Sequence, residues 1–218
     1  AATAALMLSL KPDLTNIQLR EILKNTAEKV GSHTYNENGW NKYLGYGRIN
    51  TYYALCEVIS LLPPVTVNMN DLWEKNVFSS DDIVIEAGNT LTIKSTVFMG
   101  IGKKIIIKPG AKVIIDGGKI TNYNICGEEN DFWQGIEVWG NSTASQATIN
   151  GVKAQGWLVL ENGAIIENAI AAVELWKPGD YSKTGGIVQA TDAHFINNRN
   201  SVHANDYRNF DPNFPERE

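Results

Sequence analysis

A chain of 218 residues, 43% of them hydrophobic, with a net charge of −5, has room for one large or two modest globular domains with ordinary cores. It contains no Lys/Arg run and no interleaving of basic with aromatic residues, which argues against nucleic acid as a partner. No apolar run reaches the roughly eighteen residues needed to span a membrane. Two cysteines, Cys56 and Cys126, make neither a disulfide framework nor a metal site, and His33, His194 and His203 lack metal-ligand spacing.

In chain order, the first elements are helical. Ala1–Leu10 is as apolar as a signal-peptide core but has no basic start and no small-residue cleavage site, so it reads as an internal helix stopped by Pro12. Thr15 with Gln18 forms a capping box for a second helix. Ile17, Ile22, Leu23 and Ala27 supply its apolar stripe, and Gly31 is its expected C-terminal stop. The polar stretch Ser32–Tyr43 is a loop. Gly45 and Gly47 permit a tight turn, and Asn50 caps a third helix over Thr51–Leu62. Cys56 falls on that helix as a buried thiol, a Cys56–Cys126 bridge being the alternative. These helices have apolar faces and no sheet to cover, so residues 1–62 are expected to leave a large apolar patch open.

Pro63-Pro64 marks the domain boundary, and residues 63–80 read as a linker. Beyond it the apolar period changes to two. Short strands are expected at Ile83–Ile85, Leu91–Ile93, Lys104–Ile107 and Val113–Ile115. The segment repeats: Glu86–Ile93 aligns with Lys108–Ile115 at an offset of twenty-two, and Gly156–Leu160 aligns with Gly185–Gln189. Ile166 then matches Phe195, Asn168 matches Asn197 and Val173 matches Val202, and an Ile/Phe-x-Asn triplet recurs at 120–122, 166–168 and 195–197. A period in the low twenties with three short strands predicts a parallel β-solenoid over residues 81–218, with apolar ladders inside and an Asn168–Asn197 amide ladder at a corner. Cys126–Phe132 and Leu175–Thr184 break the period and are expected to leave the stack as loops. The tail from Tyr207 to Glu218 reads as a loop or frayed end.

The helical segment resembles the end of a subtilisin-like serine protease domain. Leu10, Pro12, Leu14, Thr15, Arg20, Leu23, Thr26, Ala27, Gly45, Gly47, Arg48, Ile49 and Asn50 fall on that family's turn, helix and Gly-x-Gly-x-Ile-Asn patterns. The resemblance implies a Ser-His-Asp peptidase whose Gly-Thr-Ser motif ends just before Ala1, placing the nucleophile about seven residues upstream and the triad Asp and His further back. It therefore assigns no catalytic residue to this chain, and protein or peptide substrates to the intact protein. It also implies calcium in the intact protein, although neither Asp13 nor Asp131 sits among enough oxygen ligands. Trp133–Gly140, Gly186–Val188 and Ala193–Asn198 resemble right-handed parallel β-helix modules of Bacteroidetes-type secreted proteins. The expected fold is thus mixed: an α-helical end of an α/β domain followed by an all-β right-handed parallel β-helix. The expected location is extracellular or at the cell surface, and the C-terminus is expected to be cut.

A solenoid can also carry a site of its own. Asp116, Glu137, Glu161 and Asp192 are candidate carboxylates, but the repeat alignment does not bring them to equal positions or set Lys or Arg beside them, so solvated turn residues are expected. Trp133, Trp139, Trp157 and Trp176 are candidate glycan contacts, some of which inward positions would claim as core. His194 reads as a surface residue, and Asn141-Ser142-Thr143 is a sequon by pattern. Two functions follow: part of a secreted serine endopeptidase, or a non-enzymatic adhesion or carbohydrate-binding module.

Overall fold

The computed structural model describes residues 1–123, 132–149 (149 by its backbone alone) and 152–207. The described chain divides into two units at the proline pair, between Pro63 and Pro64.

The first unit holds three helices: α1 (Ala2–Leu10), α2 (Asn16–Asn25) and α3 (Thr51–Ser60). The capping box forms as the residues predict, with Gln18 N–H donating to Thr15 Oγ1 at 3.2 Å and Thr15 N–H to Gln18 Oε1 at 2.9 Å. Asn50 caps α3 by accepting from Tyr53 N–H at 2.9 Å. The second helix is shorter than expected. It ends at Asn25, with Thr26 as its C-cap, well before Gly31, because Glu28 exchanges both backbone hydrogen bonds with Arg48, at 2.8 and 2.9 Å. Gly47 makes that pairing feasible: its φ is +111°, and a Cβ there would lie 2.1 Å from Glu28 O. The side chains reinforce the clasp. Arg48 forms an ion pair with the Glu28 carboxylate, and Asn50 Nδ2–H also donates to it. The Arg48 guanidinium, then the Asn50 amide, hold the Glu28 carboxyl below the usual carboxylate range.

The core of this unit is small: Met7, Leu14, Ile22, Ala54 and Val58, with flanking leucines. Large apolar side chains stay open around it, including Leu6 at 48% exposure and Ile17 at 69%. The exposed apolar surface foreseen from the helical pattern is present. Cys56 corrects the free-thiol expectation: it is disulfide-bonded. Cys126, the second cysteine of the sequence, lies outside the described residues.

The second unit is built from parallel strands that return in threes. The first coil is β1 (Val65–Val67), β2 (Asp71–Trp73) and β3 (Val77–Ser79). The second is β4 (Ile83–Ile85), β5 (Thr90–Ile93) and β6 (Thr96–Met99). The third is β7 (Lys104–Ile107), β8 (Lys112–Asp116) and β9 (Lys119–Asn122). The fourth starts with β10 (Trp133–Val138) and is interrupted by an antiparallel hairpin, β11 (Thr148–Ile149) with β12 (Val152–Lys153). It continues with β13 (Trp157–Glu161) and β14 (Ala164–Glu167). A fifth coil follows as β15 (Ala169–Glu174), β16 (Ile187–Ala190) and β17 (Ala193–Ile196), and β18 (Asn200–His203) opens a sixth.

Each position in the coil feeds one sheet, giving three parallel sheets ordered β1-β4-β7-β10-β15-β18, β2-β5-β8-β13-β16 and β3-β6-β9-β14-β17. This is a β-helix-like all-β arrangement. Residues 63–80 are therefore not simply a linker, since the first coil lies within them. That coil was hidden because its ladder offset to the next is shorter than twenty-two and its inward positions hold few large aliphatics.

Register explains the sequence pattern. Val65, Ile83, Ile105, Ile136, Val173 and Val202 stack in one continuous ladder. Leu91, Val113, Leu158 and Val188 form a second, and Val97, Ile120, Ile166 and Phe195 a third. The central members of each are completely buried. The register over Trp157 differs by one from the repeat alignment: Trp157 lies beside Ile187, not Gly186. The reason is face selection, because a one-residue slip would turn Leu158 and Leu160 toward solvent. The turn Glu161-Asn162-Gly163 absorbs the extra residue, which Thr191-Asp192 lacks. The register between β10 and β15 shifts after Gly135, with Ala172 of β15 as the extra residue; at Gly135 φ is +114° and a Cβ would overlap Ala171 O at 1.5 Å.

The predicted amide ladder forms. Asn197 Nδ2–H donates to Asn168 Oδ1 at 2.7 Å, and Asn168 Nδ2–H donates to Thr121 Oγ1 at 3.2 Å. Both asparagines are left-handed, at φ +59° and +50°, a conformation Asn tolerates because its side chain can bond locally. Asn168→Ala is expected to lower stability in denaturant unfolding by about 2 kcal/mol, combining the lost bond with the left-handed penalty. Asn168→Gly, which escapes the penalty, should cost about half as much. Glu28 generates a pH prediction. A depressed folded-state pKa gives stability that is full above the unfolded carboxylate value and lost as pH falls through the folded one. The helical unit should therefore loosen on acidification below about pH 4, and Glu28→Gln should flatten that acid limb when unfolding is followed by amide exchange.

Candidate functional site

The four tryptophans do not form one platform. Trp133 is completely buried, with its Nε1–H donating to Glu167 O at 2.8 Å. It is a core residue and offers no ring face to a ligand, because β10 turns it inward at the start of a coil. Trp139 follows β10, half-buried, its Nε1–H on Glu137 Oε2 at 2.8 Å and Lys177 Nζ 4.9 Å from its ring centre. Trp176 packs against Tyr181 and His203 beyond β15, and its buried Nε1 has no hydrogen-bond partner among the described residues. Trp157 opens β13 on another sheet, with its Nε1–H on Gln189 Oε1 at 3.0 Å.

The carboxylates are more ordered than the sequence suggested. Asp116 and Glu161 stand opposite each other in register, which corrects the expectation of unequal positions. Lys94 completes the group with its ammonium 3.1 Å from Asp116 Oδ2. Asn162 donates to Asp116 Oδ1 at 2.6 Å, and this amide, then Lys94, lowers the Asp116 pKa. Asp192, left-handed at φ +51°, sits exposed in the equivalent turn of the next coil and accepts from Gly163 N–H through its backbone oxygen at 2.8 Å.

On the sheet headed by β1, Glu137, Glu174 and His203 make another in-register row. Glu137 is 7% exposed, and both its oxygens are engaged: Lys104 Nζ at 2.7 Å on Oε1 and the Trp139 indole on Oε2. Glu174 pairs with His203 Nδ1 at 3.1 Å. A general acid or base needs an oxygen free for the reacting proton. Glu137 has none, so its arrangement reads as structural.

Asp13 pairs with Lys11 at 3.0 Å. Among the described residues there is no group of three or more His, Cys, Asp or Glu that could hold a metal ion. Asp131 lies outside the described residues. His194 is an exposed outward residue of β17. Asn141 of the sequon accepts from Thr143 N–H at 3.1 Å and Oγ1–H at 2.8 Å in a tight turn. No helix among the described residues is long and apolar enough to cross a membrane.

The feature sequence reasoning missed is the excursion between β10 and β13. Gln155, fully buried, ties it down: its Nε2–H donates to Asn141 O at 3.0 Å and Ala144 O at 2.6 Å. Tyr207 closes over it, donating to Ala144 O and accepting from Gln155, so that residue is docked and not part of a frayed tail. The hairpin brings Val152 and Lys153 against the turns at Gly88 and Gly110, enclosing a cleft of about 190 Å³ with Lys112 and Trp157. The dipeptide Asn150-Gly151 between Thr148-Ile149 and Val152-Lys153 is a strong hairpin signal and could have revealed it. A second cavity, in the helical unit, is lined by Glu28, Tyr53, Cys56 and Glu57 among others.

No protein-family model, curated protein or solved structure matches this chain.

If Glu137 is structural, Lys104→Met should destabilise the solenoid by about 2–3 kcal/mol by stranding a buried carboxylate. The value falls below the ~3–5 kcal/mol of a fully buried pair because the lysine side chain is 32% exposed. Adding Glu137→Gln should recover at least half of the loss in the same thermal unfolding assay.

Proposed function

We propose that this chain is the carboxyl-terminal scaffold of a secreted subtilisin-like serine endopeptidase, followed by a right-handed β-helix module. The observation that carries the reading is α1. It is apolar on nearly every side, yet only Met7 is fully buried. A helix of that composition is ordinarily enclosed on all faces, and the parallel sheet of a subtilisin-like domain is the partner it would fit. The Thr15 capping box and the Gly47–Glu28 clasp occupy the turns where that family's motifs fall.

In the intact protein, α1 would follow the nucleophilic serine, so its amino-terminal N–H groups and dipole would favour charge developing at the serine turn. The chain itself supplies position and packing, and the triad upstream supplies acyl-enzyme chemistry. The disulfide at Cys56 supports an extracellular or cell-surface location, because disulfides persist in oxidising compartments.

A second reading, a non-enzymatic binding module for glycans, is favoured by the lysine-lined cleft at Trp157. With Trp133 in the core, its contacts reduce to Trp139, Trp157 and Trp176.

Labelling with a fluorophosphonate and assay of peptide cleavage separate the readings. The protein encoded together with its upstream sequence should label at a Gly-Thr-Ser serine and cleave peptides, and this chain alone should do neither. Cleavage by this chain alone, blocked by a serine-directed reagent, would overturn the assignment. So would an upstream sequence without the triad motifs.

A further inference from the structure

We infer that the cleft beside Trp157 is a binding site for the carboxylate of an acidic polysaccharide, with Lys112 and Lys153 as its cationic pair. This deepens the binding-module reading and is independent of the peptidase reading.

Charge pairing and position together single the pair out. Lys94, Lys103, Lys104, Lys108, Lys119 and Lys177 each reach a carboxylate. Among the described residues Lys75, Lys112, Lys153 and Lys183 reach none, and of these Lys112 and Lys153 converge on one indole. Their ammonium groups lie 3.9 and 5.0 Å from the Trp157 ring centre. Two like charges brought to one ring repel, and the cation–π contacts offset that only in part. An anion between them removes the conflict.

The pair is also held in place before any ligand arrives. Lys112 stands directly opposite Trp157 in the ladder, and Gln189 fixes the indole by its Nε1–H. Lys153 Nζ donates to Gln146 O at 3.0 Å and keeps further donors for a ligand. Holding donors in their bound geometry lowers the ordering cost of association.

The cleft selects the ligand class. Its lining contains no carboxylate, and Thr90 contributes a hydroxyl beside the two ammonium groups. A volume of about 190 Å³ is below the ~300–1,000 Å³ of drug-sized sites, which suits one ring of a longer polymer. An acidic peptide would need a sheet edge for its backbone. The sheet strands of the cleft offer none, because β5, β8 and β13 are each paired on both sides, and β12, paired with β11, is only two residues long. A uronic acid ring, with one carboxylate and several hydroxyls, has no such need.

Affinity electrophoresis of the full chain tests this with four probes: polygalacturonate, its methyl ester, neutral galactan and poly-glutamate. The expected result is retardation by polygalacturonate alone, weakened by salt and roughly tenfold or more by Lys112→Ala/Lys153→Ala. Lys112→Arg/Lys153→Arg should restore it, and circular dichroism should be unchanged in both variants. Equal, lysine-dependent retardation by poly-glutamate would overturn the glycan assignment. Retardation by neutral and acidic glycans alike, indifferent to the alanine pair, would overturn the cleft while leaving a glycan-binding module in place. No retardation by any polysaccharide would overturn both.

Discussion

Parallel stacking in register governs the larger unit. Because each strand lies beside its equivalent in the next coil, about 4.8 Å away, every side chain has a copy of its own position as a neighbour. Inside, this favours the sequence: Ile83 over Ile105 over Ile136 buries aliphatic surface on both sides of each residue, at roughly 1.5–3 kcal/mol per large side chain. Outside, the same geometry is a hazard, because a carboxylate stacks on a carboxylate. The solenoid resolves it with donors drawn mostly from neighbouring coils. Asp116 and Glu161 share a row with Lys94 and Asn162 close by, and Glu137 and Glu174 are relieved by Lys104, Trp139 and His203. Most of these pairs are partly exposed, and each contributes little to stability alone. Their joint effect is on register, since a slipped ladder would set acid on acid without relief.

The helical unit rests on a different economy. Among the described residues its buried core is small, and a local clasp reinforces it. Glu28 meets Arg48 through backbone and side chain, and Gly47 alone permits the approach. The clasp orders the chain between α2 and α3 without covering the apolar flanks of α1 and α3. Those flanks, at Leu6 and Tyr52 for example, are what a reader of the helical pattern anticipates from apolar faces with no sheet to pack on.

How much of this could be read beforehand depended on whether a signal was local or required register. The capping box at Thr15, the Asn50 cap and the Asn168–Asn197 ladder were legible because each needs only a few residues at fixed spacing. The first coil was not, because its offset is shorter than that of the later coils. The Asp116–Glu161 row and the Lys112–Trp157 contact were invisible to spacing, since they become neighbours only once the coils are laid side by side. Trp133 as core against Trp157 at the surface likewise depends on which face each strand turns inward, and the one-residue difference between two turns was enough to misplace Trp157 relative to coil five. The end of α2 escaped because its competitor, Arg48, lies twenty residues further along the chain.

The ladder beginning at Val65 and ending at Val202 has one more implication. Since a coil touches only the coils beside it, a duplication or deletion of one full turn would leave every other rung where it is. Length is therefore a freely adjustable property of this module, altered in steps by ordinary gene rearrangement. The excursion after β10 can diversify in the same way, one coil at a time, without disturbing the stack that carries it.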